Sequence, residues 1–188
     1  MAAGNLATEL IERHRATLDK VLEAIRTREY WSPYPEHPKA YGEDHPSPAA
    51  PGKAPRTLSP ADGKAAFEAL LNQPFPVEQP GADGTVVAGE RSPYGIDLGI
   101  TYRHADPDRL IPAMTEAIPA WRDAGPEVRA AVCLEILARI NARSHEFAHA
   151  VMHTTGQAFT MAFQAGGPHA QDRGLEAVAY AYAEQVRT

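Results

Sequence analysis

The chain has 188 residues, of which 44% are hydrophobic and 22% charged, with a net charge of −6 and a pI near 5.7. That is enough for one ordinary globular domain, and the acidic balance excludes the basic footprint of a nucleic-acid-binding protein. No apolar run is long enough to span a membrane. The N-terminus lacks the pattern of a signal peptide, and the single Cys133 excludes an intrachain disulfide, so a cytoplasmic protein is expected.

The first predicted element is an amphipathic helix over residues 5–29. Leu10, Leu18 and Ile25 belong to an apolar set that recurs at helical spacing, and charged residues fill the other faces. Asn5 has the side chain of an N-cap. We expect this helix to pack on a core or on a partner.

A proline-rich connector follows, since eight of the 17 prolines lie between Pro33 and Pro60. Proline fixes φ and removes a backbone donor, so neither a helix nor a central strand is expected over residues 31–60. The aromatic residues Trp31, Tyr34 and Tyr41 favour an arm that lies along a surface. A proline-rich binding ligand is the alternative.

A short helix and a hairpin are predicted next. Residues 60–72 have the pattern of the helix, and Thr85–Glu90 and Ile96–Tyr102 alternate like two strands. Pro93 and Gly95 in the intervening SPYG are turn residues. Because a two-stranded hairpin alone is marginal in water, it must pack on other elements.

Four helices are predicted from Asp106 onward. Asp106 would cap the first, with Pro107 at its first position, and Pro126 would begin the second. Ser144 would cap the third and Gly156 would end it. The last is GLEAVAYAYAEQVRT. The segment before it, QAGGPHAQDRG, lacks the spacing of a phosphate-binding glycine loop and is predicted to be an ordered loop.

The third of these helices contains the H-E-x-x-H motif of zinc peptidases, as His145, Glu146 and His149. In such sites two histidines one turn apart bind the metal and the glutamate activates a water. The longer form of the motif, with its third histidine, is not met, so Glu176 is the candidate third ligand. A zinc hydrolase is therefore one alternative, and a helix that matches the motif by chance is the other.

The angular positions favour the chance match. At about 100° per residue, His145, His149 and His153 share one stripe of the helix, while Phe147 and Val151 lie nearly opposite. We therefore expect the apolar residues to face the core and the histidines to face away from it.

Three motifs that follow the hairpin can be compared, in their order along the chain, with those of known families. AIPAWRDAG contains Trp121, PEVRAAVCLEILARI contains Arg129 near its start, and HTTGQ contains Gly156. This order resembles the N-terminal region of the aldehyde dehydrogenase superfamily. YWSPYPE, SPYG, LGITY and VMHTTGQAFTMAFQAGGPHAQDRGLEAVAYAYAE are similar to the phenylacetic acid degradation branch called the PaaN type. Gln157, where most members have lysine, fits that branch.

The resemblance implies a mainly α chain with a short β-hairpin. This is the N-terminal part of the α/β aldehyde dehydrogenase fold, with the Rossmann sheet and the catalytic domain absent. The implied divisions are an N-terminal helix over 1–30, the proline-rich connector over 31–60, a short helix and hairpin over 61–105, and the helical start of the cofactor-binding domain over 106–188.

The resemblance also implies a function for the parent enzyme, which would oxidise an aldehyde of aromatic-acid breakdown with NAD or NADP. Its nucleophilic cysteine, general-base glutamate and oxyanion-stabilising asparagine would lie C-terminal to this region. Cys133 falls at a structural helix position and is expected to be buried and inert. We therefore assign no catalytic, cofactor-binding or metal residue in this chain and expect no catalysis from it alone.

The expected partner is the remainder of the dehydrogenase or a second copy of the chain, with a homo-oligomeric parent and neither nucleic acid nor membrane. The hairpin and several apolar helix faces are expected to be uncovered. Two other functions stay open: a non-catalytic interaction module derived from the dehydrogenase fold, and the zinc hydrolase that would use His145, Glu146 and His149.

Overall fold

The computed structural model describes residues 2–41 and 57–187. In chain order its helices and strands are α1 (Ala2–Thr27), a 3-10 turn (Pro38–Ala40), α2 (Pro60–Glu68), β1 (Ala82–Val87), β2 (Tyr102–Ala105), α3 (Pro107–Asp123), α4 (Gly125–Ala142), α5 (Ser144–Thr155), α6 (Phe159–Gly166) and α7 (Pro168–Gln185). The predicted fold class, mainly α with one antiparallel hairpin, is confirmed. Among the described helices, none is both long and apolar enough to cross a bilayer.

The largest core lies where α1, α4 and α7 meet. Leu18 and Val21 of α1, Leu134 of α4 and Leu175 of α7 are buried there together. Burying each such side chain stabilises the fold by about 1.5–3 kcal/mol. The amphipathic first helix is thus confirmed, but its predicted cap is wrong. Asn5 lies inside α1, where its side-chain amide donates to Glu9 of the next turn.

The first part of the proline-rich connector packs on this core. Tyr34 is buried in this core and Tyr41 in a second cluster with α5 and α6, although Tyr30, just before the connector, is exposed. The Tyr41 hydroxyl donates to the carbonyl of Pro35 at 2.9 Å and accepts from the Asn141 amide at 3.2 Å. The predicted packed arm is therefore found over residues 31–41. The rest of the predicted connector, from 42 to 56, lies outside the described residues.

The short helix α2 lies against α5. Ser59 caps it by accepting from the backbone N–H of Asp62. Gly63 faces α5 so closely that a Cβ there would overlap the Cβ of His145 and crowd the backbone of Glu146. The distance between α2 and α5 therefore depends on glycine at this position, because any larger residue would push the two helices apart.

The hairpin is confirmed, but its strands lie farther from the turn than predicted. β1 pairs antiparallel with β2. Val87 lies opposite Tyr102 at one end of the pairing and Ala82 lies opposite Ala105 at the other, with an irregularity between residues 82 and 86. The predicted turn does form, since the Gly95 N–H donates to the Ser92 carbonyl at 2.8 Å.

The predicted second strand was misplaced because its apolar residues turn into a second core. Leu98 and Ile100 are buried against Phe67 of α2. Near the turn its backbone still bonds to the first predicted strand, where the Leu98 N–H donates to the Glu90 carbonyl at 3.0 Å, and beyond that Thr101 bonds to the segment after α2. The hairpin thereby gains the packing that it needs.

The C-terminal half has five helices instead of the four predicted. Asp106, Pro107 and Gly156 act as predicted, with Gly156 ending α5 in the left-handed conformation at φ 80°. Ser144 does not cap α5, since its hydroxyl donates back to the Asn141 carbonyl. The prediction of a loop over QAGGPHAQDRG is wrong, because α6 and α7 cover it and only Gly167 separates them.

Candidate functional site

The histidines of the zinc-like motif face inward, so the prediction that they face away from the core is wrong. His145 is 1% exposed. Its ring centroid lies 5.0 Å from that of Phe163 and 6.0 Å from that of Phe159, both on α6. Its Nε2 donates to the Pro38 carbonyl at 3.3 Å, and its buried Nδ1 has no partner among the described residues. The ring is part of the packing between α5, α6 and the arm.

His149 and His153 continue the stripe against other aromatic rings. His149 lies between Phe67 of α2 and Phe159 of α6, with ring centroids 6.1 and 5.1 Å away. His153 is stacked on Phe67 at 5.0 Å, and its Nδ1 lies 3.0 Å from the Ser92 hydroxyl. Two packed helices therefore cover the stripe. The direction that it faces depends on them and not on the polarity of α5 alone.

Burial favours the neutral form of two of these rings. Desolvation lowers the pKa of His145 below its ordinary value, against the opposing effect of the Pro38 carbonyl. Desolvation also lowers the pKa of His149, and the nearby His153 and Lys64 lower it further. Neutral imidazoles can stack on aromatic rings without the cost of burying a charge.

The glutamate of the motif is engaged elsewhere. Glu146 accepts two hydrogen bonds from the Arg143 guanidinium, at 2.7 and 2.5 Å. Glu176, the candidate third ligand, pairs with Arg173 on α7 at 2.8 Å. No group of three or more His, Cys, Asp or Glu that could hold a metal occurs in residues 2–41 and 57–187. The geometry therefore speaks against a zinc hydrolase.

An ion-pair cluster that the sequence analysis missed joins α1 to α4. Glu135 of α4 accepts from His14 at 2.8 Å, from Arg13 at 3.0 Å and from Arg139 at 2.9 Å. Burial alone would raise the pKa of Glu135, but the three hydrogen bonds outweigh it and leave the pKa below its ordinary value. No local signal could have revealed the cluster, because His14 and Glu135 are 121 residues apart in the chain.

The joint between α3 and α4 contains two of the residues that carried the family resemblance. The Arg129 guanidinium donates to the carbonyls of Trp121 and Arg122, at 3.2 and 2.7 Å, and also to the side chain of Gln185. It thereby satisfies acceptors at the end of α3 that have no partner within the helix. Arg129 therefore holds the C-terminal end of α3 against α4.

An apolar surface on α3 is left without a partner among the described residues. No residue of the 17 in α3 is buried. Four apolar side chains at helical spacing form what we call the α3 stripe. They are Ile111, Met114, Ile118 and Trp121, which are 60, 62, 59 and 46% exposed. The hairpin residues Val86 and Val87 are exposed too, so the expectation of uncovered apolar faces is met.

This architecture is similar to one segment of an aldehyde dehydrogenase. The likeness is to the crystal structure of an NAD-dependent aldehyde dehydrogenase from Burkholderia multivorans, with a TM-score of 0.79 and 51% sequence identity. The match covers 93% of this chain but only 29% of that protein. Neither a family model nor a curated protein matches the chain significantly.

Proposed function

We propose that this chain acts as the N-terminal segment of an NAD-dependent aldehyde dehydrogenase. The observation that carries the proposal is the 51% identity to such an enzyme across 93% of this chain. Sequence identity at that level supports common ancestry with the enzyme, and a shared fold alone would not. Because the chain spans 29% of the neighbour's length, the activity would belong to a longer polypeptide, in the cytoplasm and as a homo-oligomer.

The segment would not catalyse the reaction by itself. Aldehyde oxidation of this kind needs a thiolate that adds to the carbonyl, a nicotinamide that takes hydride and a base that activates water. The only thiol here is Cys133, in the middle of α4. It is partly exposed, so the prediction that it is buried is wrong, but partial burial still raises its pKa. A raised pKa disfavours the thiolate, which is the reverse of what a nucleophile requires.

The substrate would be an aldehyde formed during aromatic-acid degradation, as in enzymes of the PaaN type. The support is the similarity of YWSPYPE, SPYG and LGITY to that branch. The first of these lies at the arm, where Trp31 and Tyr34 pack on the main core. That packing ties the proline-rich segment, which ordinary aldehyde dehydrogenases lack, to the body of the fold.

The test is the intact mass of the native polypeptide in the producing cells, followed by an assay of that protein with NAD and an aromatic aldehyde. We expect a mass far above 20.3 kDa and NADH formation with the aldehyde. A native mass of 20.3 kDa would refute the proposal, and so would a longer protein without NAD-dependent oxidation of any aldehyde.

A non-catalytic interaction module is the second candidate, and the exposed α3 stripe is the observation that favours it. In that case the 188-residue chain would be stable alone and would bind a separate full-length dehydrogenase. Co-purification of the two as distinct polypeptides, lost when Ile118 is replaced by glutamate, would favour this candidate over the first.

A further inference from the structure

The α3 stripe runs into an apolar groove. Trp121, its last member, lies at the rim of a groove of about 300 Å³ between α4 and α7. Its other lining residues include Cys133, Val178, Tyr182 and Gln185, and we call it the Cys133 groove. The stripe and the groove therefore form one continuous surface, since Trp121 belongs to both.

The surface is held in a fixed position although nothing described covers it. At its N-terminal end, the Asp106 N–H donates to the carbonyl of Gly81, next to β1, at 2.9 Å. At the other end Arg129 bonds the last carbonyls of the helix. An amphipathic helix that is bonded to the rest of the fold at both ends but buried along no face is typical of a surface that another element covers.

We propose that the α3 stripe and the Cys133 groove form a docking surface for the C-terminal remainder of the same polypeptide. This inference rests on the proposed function. The match to the dehydrogenase covers 93% of this chain, so it must include at least part of α3, which has 17 residues. The other 71% of that protein lies outside the match and is large enough to cover the surface.

The path of the chain favours an occupant from the same molecule over a second copy. Gln185, at the end of α7, lines the groove itself. A polypeptide that continues beyond α7 therefore starts next to the surface that it would cover. The short connection makes such docking an intramolecular step, which has a far higher effective concentration than association with another chain.

Cys133 offers a direct readout, because it lines the groove, is partly exposed and is the only cysteine in the 188 residues. A thiol reagent would be applied both to the full-length polypeptide and to the 188-residue chain, and labelling at Cys133 would be followed by peptide mass spectrometry. We expect Cys133 of the full-length protein to react at least tenfold more slowly than Cys133 of the short chain.

Two substitutions on α3 make the test specific. Ile118→Glu places a charge on the stripe and should restore fast labelling in the full-length protein. Ala120→Glu adds the same charge to an exposed position on the other side of the helix and should leave Cys133 protected. Circular dichroism of the short chain would show that both variants keep their helices.

The outcomes separate this inference from the proposed function. Equal labelling rates in a full-length protein that oxidises aldehydes would overturn the docking surface alone. Protection of Cys133 in the short chain, with a defined dimer in sedimentation, would overturn it too, because a second copy would be the occupant. Slow labelling in a full-length protein that lacks dehydrogenase activity would support the surface and refute the proposed function.

Discussion

Histidines packed against aromatic rings contribute to the pH dependence of this protein's stability. His145 and His149 have lowered pKa values in the folded chain, so the unfolded chain binds protons more readily than the folded one. Their contribution to stability is therefore complete above the ordinary pKa of 6.5 and is lost as the pH falls from there toward the lowered values. Each unit of pKa difference corresponds to about 1.4 kcal/mol.

We predict that the free energy of unfolding falls between pH 7.5 and pH 5, and that part of this loss disappears in His149→Phe. The phenyl ring keeps the contacts with Phe67 and Phe159 but takes up no proton. Urea unfolding at the two pH values measures the effect. His169→Gln is the control, since His169 is half exposed. An unchanged pH dependence in His149→Phe would show that this ring does not stay neutral in the fold.

At the scale of elements, one carboxylate connects α1 to α4. Glu135 is 12% exposed and binds three basic groups, whereas Glu127, also on α4, makes one exposed contact with Arg15 of α1. Exposed pairs contribute little because solvent screens them. A mostly buried carboxylate leaves its partners without an acceptor when it is removed.

We predict that Glu135→Gln lowers the free energy of unfolding by about 1–3 kcal/mol, while Glu127→Gln changes it by less than about 0.5 kcal/mol. The two substitutions remove the same charge from the same helix and differ chiefly in burial and in the number of partners. Chemical denaturation of both variants supplies the comparison. Equal effects would mean that net charge, and not the buried hydrogen bonds, accounts for the loss.

The elements differ in how far the sequence predicts them, and the difference follows the range of the interactions. The ends of α3 and α5 were predicted at Asp106 and Gly156 because caps depend on neighbouring residues. α6 was missed because glycine and proline near its end are typical of a loop. The inward direction of His145 depends on α2 and α6, and the His14–Glu135 contact joins residues 121 apart. Neither leaves a local pattern.

On the scale of the whole molecule, burial is distributed unevenly. The core between α1, α4 and α7 contains half of the buried apolar residues that the structure describes, and a second set of buried rings joins α5 to α6 and the arm. By contrast, α3 contributes no buried residue, and most of the hairpin surface is open. Local opening costs the least where few apolar contacts must be broken.

We therefore predict an order of hydrogen exchange in the 188-residue chain, with the amides of α3 and β1 exchanging first and those of α4 and α7 last. Exchange followed by mass spectrometry resolves the two groups at the level of peptides.

Truncating Leu134, which is 1% exposed in the main core, to alanine should lower the free energy of unfolding by about 2–5 kcal/mol and speed exchange in α4 and α7. The same change at Ile111 on α3 should leave them unaffected. Protection of α3 equal to that of α4 would contradict this distribution of stability, because it would require a cover on α3 that the described residues do not provide.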